Sequence, residues 1–311
     1  MSGVSQVREL TAVSADGSRI HVEVHGPVRA GARAGDGDRG AVGRPAVVLA
    51  HGWTCSTRFW AAQIADLAVD HRVIVYDQRG HGRSPVPGRD GYSTDALADD
   101  LEAVLAATLE PGEKAVFAGH SMGGMTLMAA ARRPAFREHA GAALLCSTGS
   151  SRLTDESLVV PLRPGRVRTR LTRMILGARA PLGPVTPLSK RILRYATMGP
   201  GSAPERVTEC AGLVHACPRL SRVGWAHVLG TLDLDAGVRE LSVPTAVIVG
   251  TADRMTPPVQ ARALAAALPD CVAFTELTGM GHMTPVEAPE AVTAAIRELV
   301  TTYLNAKEDV A

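Results

Sequence analysis

The stretch "AGHSMGG", residues 118–124, follows the apolar run Ala115-Val116-Phe117 and precedes Met125-Thr126-Leu127-Met128-Ala129-Ala130-Ala131. Glycines weaken strands and helices alike. A lone serine among three of them, between a buried strand and a helix-forming segment, marks a place where tight backbone geometry outweighs regular structure. Gly119-His120-Ser121-Met122-Gly123 fits the pattern G-x-S-x-G in the strand–turn–helix setting that this pattern needs. A sharp turn there lifts the serine hydroxyl above the sheet, and the residues two before and two after it approach too closely for side chains. The first N–H groups of the following helix favour developing negative charge. A Gly-rich turn of this kind also occurs without chemistry, so the rest of the chain decides.

Outward from the turn, short continuous apolar runs recur at 46–50, 73–76, 115–118, 142–146 and 246–249. Runs without alternation read as parallel strands covered on both faces. Residues 6–13 and 19–26 read as two strands joined at Ala15-Asp16-Gly17, a hairpin signal. A further strand is predicted at 272–276. Helical spacing appears at 93–109, with Ser93 or Thr94 as N-cap and Leu97, Leu101, Val104 and Leu105 as the apolar stripe, and again at 287–304. The alternation predicts an α/β fold, a mostly parallel eight-stranded sheet flanked by helices. It breaks between 151 and 240, a helical but proline-interrupted stretch that reads as an insertion after the sixth strand. The expected organisation is a core from 1–150 and 241–311 with a helical insertion at 151–240, which the resemblance described below implies is a cap. Residues 27–44, rich in Gly and Arg, read as a mobile surface loop.

Composition narrows the classes. The 311 residues are 46% hydrophobic and 21% charged, with a formal net charge of +2, and aromatics are 4%. Nothing global favours nucleic acid or a membrane surface. No run reaches the ~20 apolar residues of a membrane span, and the polar start MSGVSQVREL lacks a signal-peptide core. Cys55, Cys146, Cys210, Cys217 and Cys271 are odd in number and show no C-x-x-C pair, which argues against a disulfide framework or structural zinc. The expectation is a cytoplasmic protein with reduced thiols.

A serine hydroxyl needs a base. Asp253, after the strand at 246–250, and His282, in Gly279-Met280-Gly281-His282, follow Ser121 in the order this architecture demands. The strand ending at Cys146 leads into Ser147-Thr148-Gly149, which carries no acid. Acyl transfer also needs backbone donors for an oxyanion. The N–H of Met122 supplies one, and the N–H of Trp53, in the loop His51-Gly52-Trp53-Thr54, the other. The Trp53 side chain, His120 and Trp225 are candidate walls of a substrate pocket, although Trp225 also suits a place in the cap core.

Five stretches carry a resemblance: "HGWTCSTRFW" at 51–60, "YDQRGHGRS" at 76–84, "GHSMGG" at 119–124, "PTAVIVGTADRMTPP" at 244–258 and "GMGHMTPVEAPE" at 279–290. With these the chain resembles the α/β-hydrolase superfamily, in its lid-bearing branch of esterases, perhydrolases and epoxide-hydrolase-like enzymes. The resemblance implies a triad of Ser121, Asp253 and His282, oxyanion donors at Trp53 and Met122, and a cap over the site. It implies that Asp77, Arg79, Gly80, Gly82 and Ser84 form a supporting loop.

Epoxide hydrolases and haloalkane dehalogenases, which the chain also resembles, carry aspartate where this chain has Ser121. Serine points to an acyl-enzyme, with no metal or organic cofactor required. The expected activity is hydrolysis of an ester, thioester or lactone of a small to medium apolar substrate. Alternatives are a biosynthetic thioesterase or cyclase, a cofactor-free perhydrolase, and a non-catalytic small-molecule receptor on the same scaffold. Residues 151–200 carry nine Arg and one Lys against Asp155 and Glu156, a net +8 that leaves −6 for the remainder. This basic cap face suggests an anionic substrate or an acyl carrier as partner.

Overall fold

The computed structural model describes residues 5–27, 44–88 and 90–304. Nearly all of the predicted 27–44 loop lies outside the described residues. Eight strands form one sheet: β1 (Ser5–Val13), β2 (Arg19–Pro27), β3 (Ala46–Ala50), β4 (Arg72–Tyr76), β5 (Ala115–His120), β6 (Ala140–Cys146), β7 (Thr245–Gly250) and β8 (Cys271–Leu277). Their spatial order is β1-β2-β4-β3-β5-β6-β7-β8. β2 pairs antiparallel with both neighbours, and all pairs from β4 to β8 are parallel.

The uniform burial of β3 to β7 has a simple cause. Val48 and Ala50 pack into one apolar cluster, while Val47 and Leu49, pointing the other way, pack into a second. Helices Thr94–Thr108 and Met122–Ala130 cover the first face, and Ala61–Leu67 and Pro289–Tyr303 cover the second. With water excluded from both faces, no position in these strands needs to be polar. The edge strand β8 is largely exposed.

Helix ends follow local chemistry. Ser93 is the N-cap of Thr94–Thr108, its hydroxyl accepting from Ala96 N at 3.0 Å. The predicted 287–304 helix is present and starts two residues later than expected. A short turn, Thr284–Glu287, stops before Pro289, and the long helix starts on that proline, which fits the first helical position because its missing N–H has no intrahelical role there.

Between β6 and β7 the chain forms six helices: Leu153–Glu156, Arg166–Leu176, Pro187–Thr197, Pro204–Ala216, Arg219–Gly230 and Asp235–Glu240. The insertion leaves and returns at one point, where Ser151 bridges Asp233 and Leu234 N donates to Ser150 O at 2.8 Å. The prolines break the segment into short helices by starting them: Pro187 and Pro204 each stand in a first turn.

The loop after β4 is held by charge. Arg79 donates to both carboxylate oxygens of Asp100, at 2.7 and 2.5 Å, with both side chains buried. Asp77 accepts from the Thr57 and Arg83 N–H groups at 2.7 and 2.9 Å. These residues support the fold, as their place in the sequence suggested.

Candidate active site

Ser121 follows β5 directly. Its backbone lies at φ 50°, ψ −116°, outside the comfortable regions for a residue with a Cβ. Its N–H donates to Cys146 O at 2.9 Å and its carbonyl accepts from Thr148 Oγ1 at 2.7 Å, so both sides of the turn are tied to the end of β6. A methyl group at Gly123 would sit 2.0 Å from Ala50 O, and one at Gly119 would sit 2.5 Å from Gly123 O. Only glycine lets the backbones meet here. The helix begins at Met122, with Ser121 as N-cap.

Asp253 and His282 come from the loops after β7 and β8. His282 Nδ1 lies 2.9 Å from Asp253 Oδ2, and both side chains are buried. The carboxylate is fully occupied: Oδ1 accepts from the Met255 and Thr256 N–H groups at 2.8 and 2.9 Å, and Oδ2 from Thr256 Oγ1 at 3.0 Å. Such a carboxylate is fixed in orientation. The His282 loop lies against the serine turn, because His120 Nε2 donates to His282 O at 2.8 Å. His120 is buried between the Phe59 and His282 rings, with centroids 4.5 and 4.9 Å away. It backs the His282 loop and is not an open pocket wall.

The loop after β3 approaches from the other side, where a methyl group on Gly52 would lie 3.1 Å from the Ser121 Cβ. The loop is pinned through imidazoles. His51 Nε2 accepts from Gln78 N at 3.0 Å, the Gln78 amide donates to His51 O, and Thr126 Oγ1 donates to Gln78 Oε1 at 2.7 Å. His81 Nε2 accepts from Thr54 N at 3.2 Å, with Thr54 at φ 64°. Trp53 and Met122 N–H, the predicted oxyanion donors, are not engaged by another described residue. The Trp53 indole is half-buried and donates to Arg222 O of the cap at 3.2 Å. Trp225 corrects an expectation. Its indole is 0% exposed, packs edge-on against Tyr92 and donates to Arg79 O at 3.1 Å, so it is core and not pocket.

Two anchors of the site were not singled out from sequence. The carbonyl of Thr197, last residue of cap helix Pro187–Thr197, has no acceptor role within that helix. It accepts instead from His282 N at 2.8 Å and Met283 N at 3.2 Å. The buried Glu287 carboxylate accepts from Gly281 N and Met283 N at 3.0 and 3.1 Å, and from Gly199 N and Ser202 Oγ at 2.6 Å each. It clamps the residues on either side of His282 to the cap. The clue was present in "GHMTPVEAPE": an acid five residues past the histidine.

Burial governs the titration of the histidines around the serine turn. Desolvation holds His51 down to about 4 against the Gly52 carbonyl. Desolvation first, and then the His51 charge, hold His81 down to about 3. Desolvation, with His282 next, holds His120 well below the usual imidazole range. All three are neutral at pH 7, which keeps the acceptor nitrogens of His51 and His81 free for the Gln78 and Thr54 N–H groups they hold.

A strained serine at a strand–turn–helix and a buried Asp–His pair thus stand beyond the C-terminal ends of parallel strands of one sheet. The model of the "Alpha/beta hydrolase family" matches residues 47–295, and this chain belongs to that family. It is similar to "Putative carbamate hydrolase RutD" of Pseudomonas syringae pv. syringae, 28% identical over 265 residues, covering 83% of this chain and 94% of that one. It is also similar to epoxide hydrolase A of Mycobacterium tuberculosis, 28% identical over 311 residues, covering 85% and 92%. Among solved structures it is similar to a thermophilic esterase from Thermogutta terrifontis, with TM-score 0.71 and 26% identity, covering 94% of this chain and 98% of that one. Among the described residues no helix is long and apolar enough to cross a membrane.

Two outcomes follow. Glu287→Gln leaves several of the N–H groups that met the carboxylate facing a neutral amide, and unmet buried donors cost about 1–3 kcal/mol each. A denaturant titration should show a loss of about 3 kcal/mol, and hydrogen exchange should accelerate at Gly199, Gly281 and Met283 ahead of β5. As for pH, the unfolded chain binds protons at His51 and His81 below about 6.5 while the folded chain does not. Stability therefore falls as pH drops from about 6.5 towards 4 for His51 and 3 for His81, by up to about 1.4 kcal/mol per pH unit for each group. Unfolding midpoints measured across that range, with His81→Gln alongside, check the slope; the variant should lose about one proton of it.

Proposed function

We propose that this hydrolase cleaves a carboxylic ester, thioester or lactone of a small to medium apolar substrate through an acyl-enzyme on Ser121. One observation carries the reading. The side chain at the strained turn is a hydroxyl, and His282, paired with Asp253, stands in the loop that lies against that turn. A carboxylate at that turn would open an epoxide by forming an alkyl ester; a hydroxyl attacks a carbonyl.

His282 takes the Ser121 proton as Oγ bonds to the carbonyl carbon. Asp253 holds the Nδ1–H, fixing the tautomer and stabilising the imidazolium. The carbonyl oxygen becomes an oxyanion facing the N–H groups of Trp53 and Met122. As the tetrahedral centre collapses, the bond to the leaving group breaks and His282 returns the proton to it. Water, deprotonated by His282, then releases the acid and restores Ser121.

A second reading rests on the likeness to proteins named as carbamate hydrolases. A carbamate carbonyl would pass through the same serine adduct, with nitrogen on the carbonyl carbon.

Turnover of p-nitrophenyl esters from acetyl to palmitoyl, compared between wild type and Ser121→Ala, tests the proposal. The variant should lose at least about 10³-fold in kcat, and the optimum chain length sizes the pocket. A variant retaining kcat within about tenfold would overturn the serine mechanism. A p-nitrophenyl carbamate turned over faster than every ester would favour the second reading.

A further inference from the structure

Residues 158–195 hold ten of the eighteen large apolar side chains that the described residues leave exposed. The same stretch carries nine basic residues and no Asp or Glu. Among the described residues none of these nine cations meets a carboxylate; Arg168, Arg173, Lys190 and Arg194 bond to carbonyls or hydroxyls instead. The neighbouring ion pair, Arg152 with Glu156, lies just outside the stretch.

The apolar residues follow the helices. On Pro187–Thr197, Leu188, Ile192 and Tyr195 fall at i, i+4 and i+7 and are 67%, 59% and 41% exposed. On Arg166–Leu176, Val167 and Met174 lie seven apart, 68% and 62% exposed, with Arg170 between them. A helix normally turns such a stripe inward. Here two helices in succession, and Leu182 and Val185 in the segment joining them, turn aliphatic surface to water. Exposed apolar surface on this scale marks a contact site.

Charge selects the occupant. A second copy meeting this face would oppose its eight uncompensated cations, those other than the buried Arg168, with eight more. An acidic protein would answer the charge but not aliphatic stripes spread over two helices and their connection. A bilayer with anionic headgroups answers both: aliphatic side chains enter the acyl boundary, and the arginines lie along it with guanidinium groups at the phosphates.

We propose that the 158–195 face of the cap docks this enzyme peripherally on anionic phospholipid surfaces. The docked helix Pro187–Thr197 is the one whose terminal carbonyl holds His282, so the membrane-facing element is also the one in contact with the His282 loop. The proposal goes beyond the acyl chemistry above and does not depend on it.

Sedimentation with vesicles of phosphatidylcholine, and of phosphatidylcholine mixed with phosphatidylglycerol, tests this at low and high salt. Binding to the mixed vesicles should exceed binding to phosphatidylcholine at least about tenfold and weaken with salt. Leu188→Ser/Ile192→Ser and Arg170→Glu/Arg191→Glu should each lower it at least about tenfold, with unchanged circular dichroism. Equal partition to both vesicles, absence of binding, or unchanged affinity in both variants would overturn the proposal. So would a dimer in sedimentation equilibrium that the same variants dissociate, which would assign the face to a second copy.

Discussion

The backbone of Ser121, held at φ 50° and ψ −116°, is the constraint around which the site is built. Such a conformation costs about 1–3 kcal/mol and persists only where its surroundings over-determine it. Here they do. Ser121 N and O are bonded to the end of β6, and Gly123 is pressed against Ala50 of β3. The strain is not isolated. Thr54, Ser121 and Ser147, at the ends of β3, β5 and β6, all have positive φ, at 64°, 50° and 43°. The sheet's covered faces supply rigidity, and that rigidity fixes three adjacent strand ends in geometries they would not adopt alone.

The cap is more than a cover. Through Thr197 O it holds the His282 and Met283 N–H groups, and through Gly199 and Ser202 it shares the Glu287 carboxylate with the His282 loop. Around the serine turn, three buried imidazoles stay neutral because desolvation penalises their charged forms. They act as backbone acceptors and donors in a region where a mobile charge would compete with the Asp253–His282 pair. Rigidity comes from the core, and positioning from hydrogen bonds to buried carbonyls, carboxylates and neutral imidazoles.

Much of this was legible in the sequence because it follows local rules. Continuous apolar runs gave the covered strands, Ser93 its helix start, and the spacing of Gly119, Ser121 and Gly123 the turn. The order Ser121, Asp253, His282 was readable because each follows a strand end. Longer-range features were not. Nothing local says that Trp225 is wholly enclosed beside Tyr92, that Thr197 O caps the His282 loop, or that one carboxylate at Glu287 joins two parts of the chain. Pro289 as a helix start set a boundary that apolar spacing alone places two residues earlier. A net charge of +2 likewise conceals residues 158–195, whose nine basic residues have no Asp or Glu among them.

The central claim is that Ser121 is a nucleophile activated by its folded setting. Intact-protein and peptide mass spectrometry after exposure to a fluorophosphonate tests it directly, since the serine oxygen displaces fluoride and keeps the phosphonyl group. The account predicts one adduct per chain, on the peptide containing Ser121, absent from protein unfolded before exposure and slowed in His282→Ala. Labelling at another residue, or equal labelling of folded and unfolded chains, would contradict it.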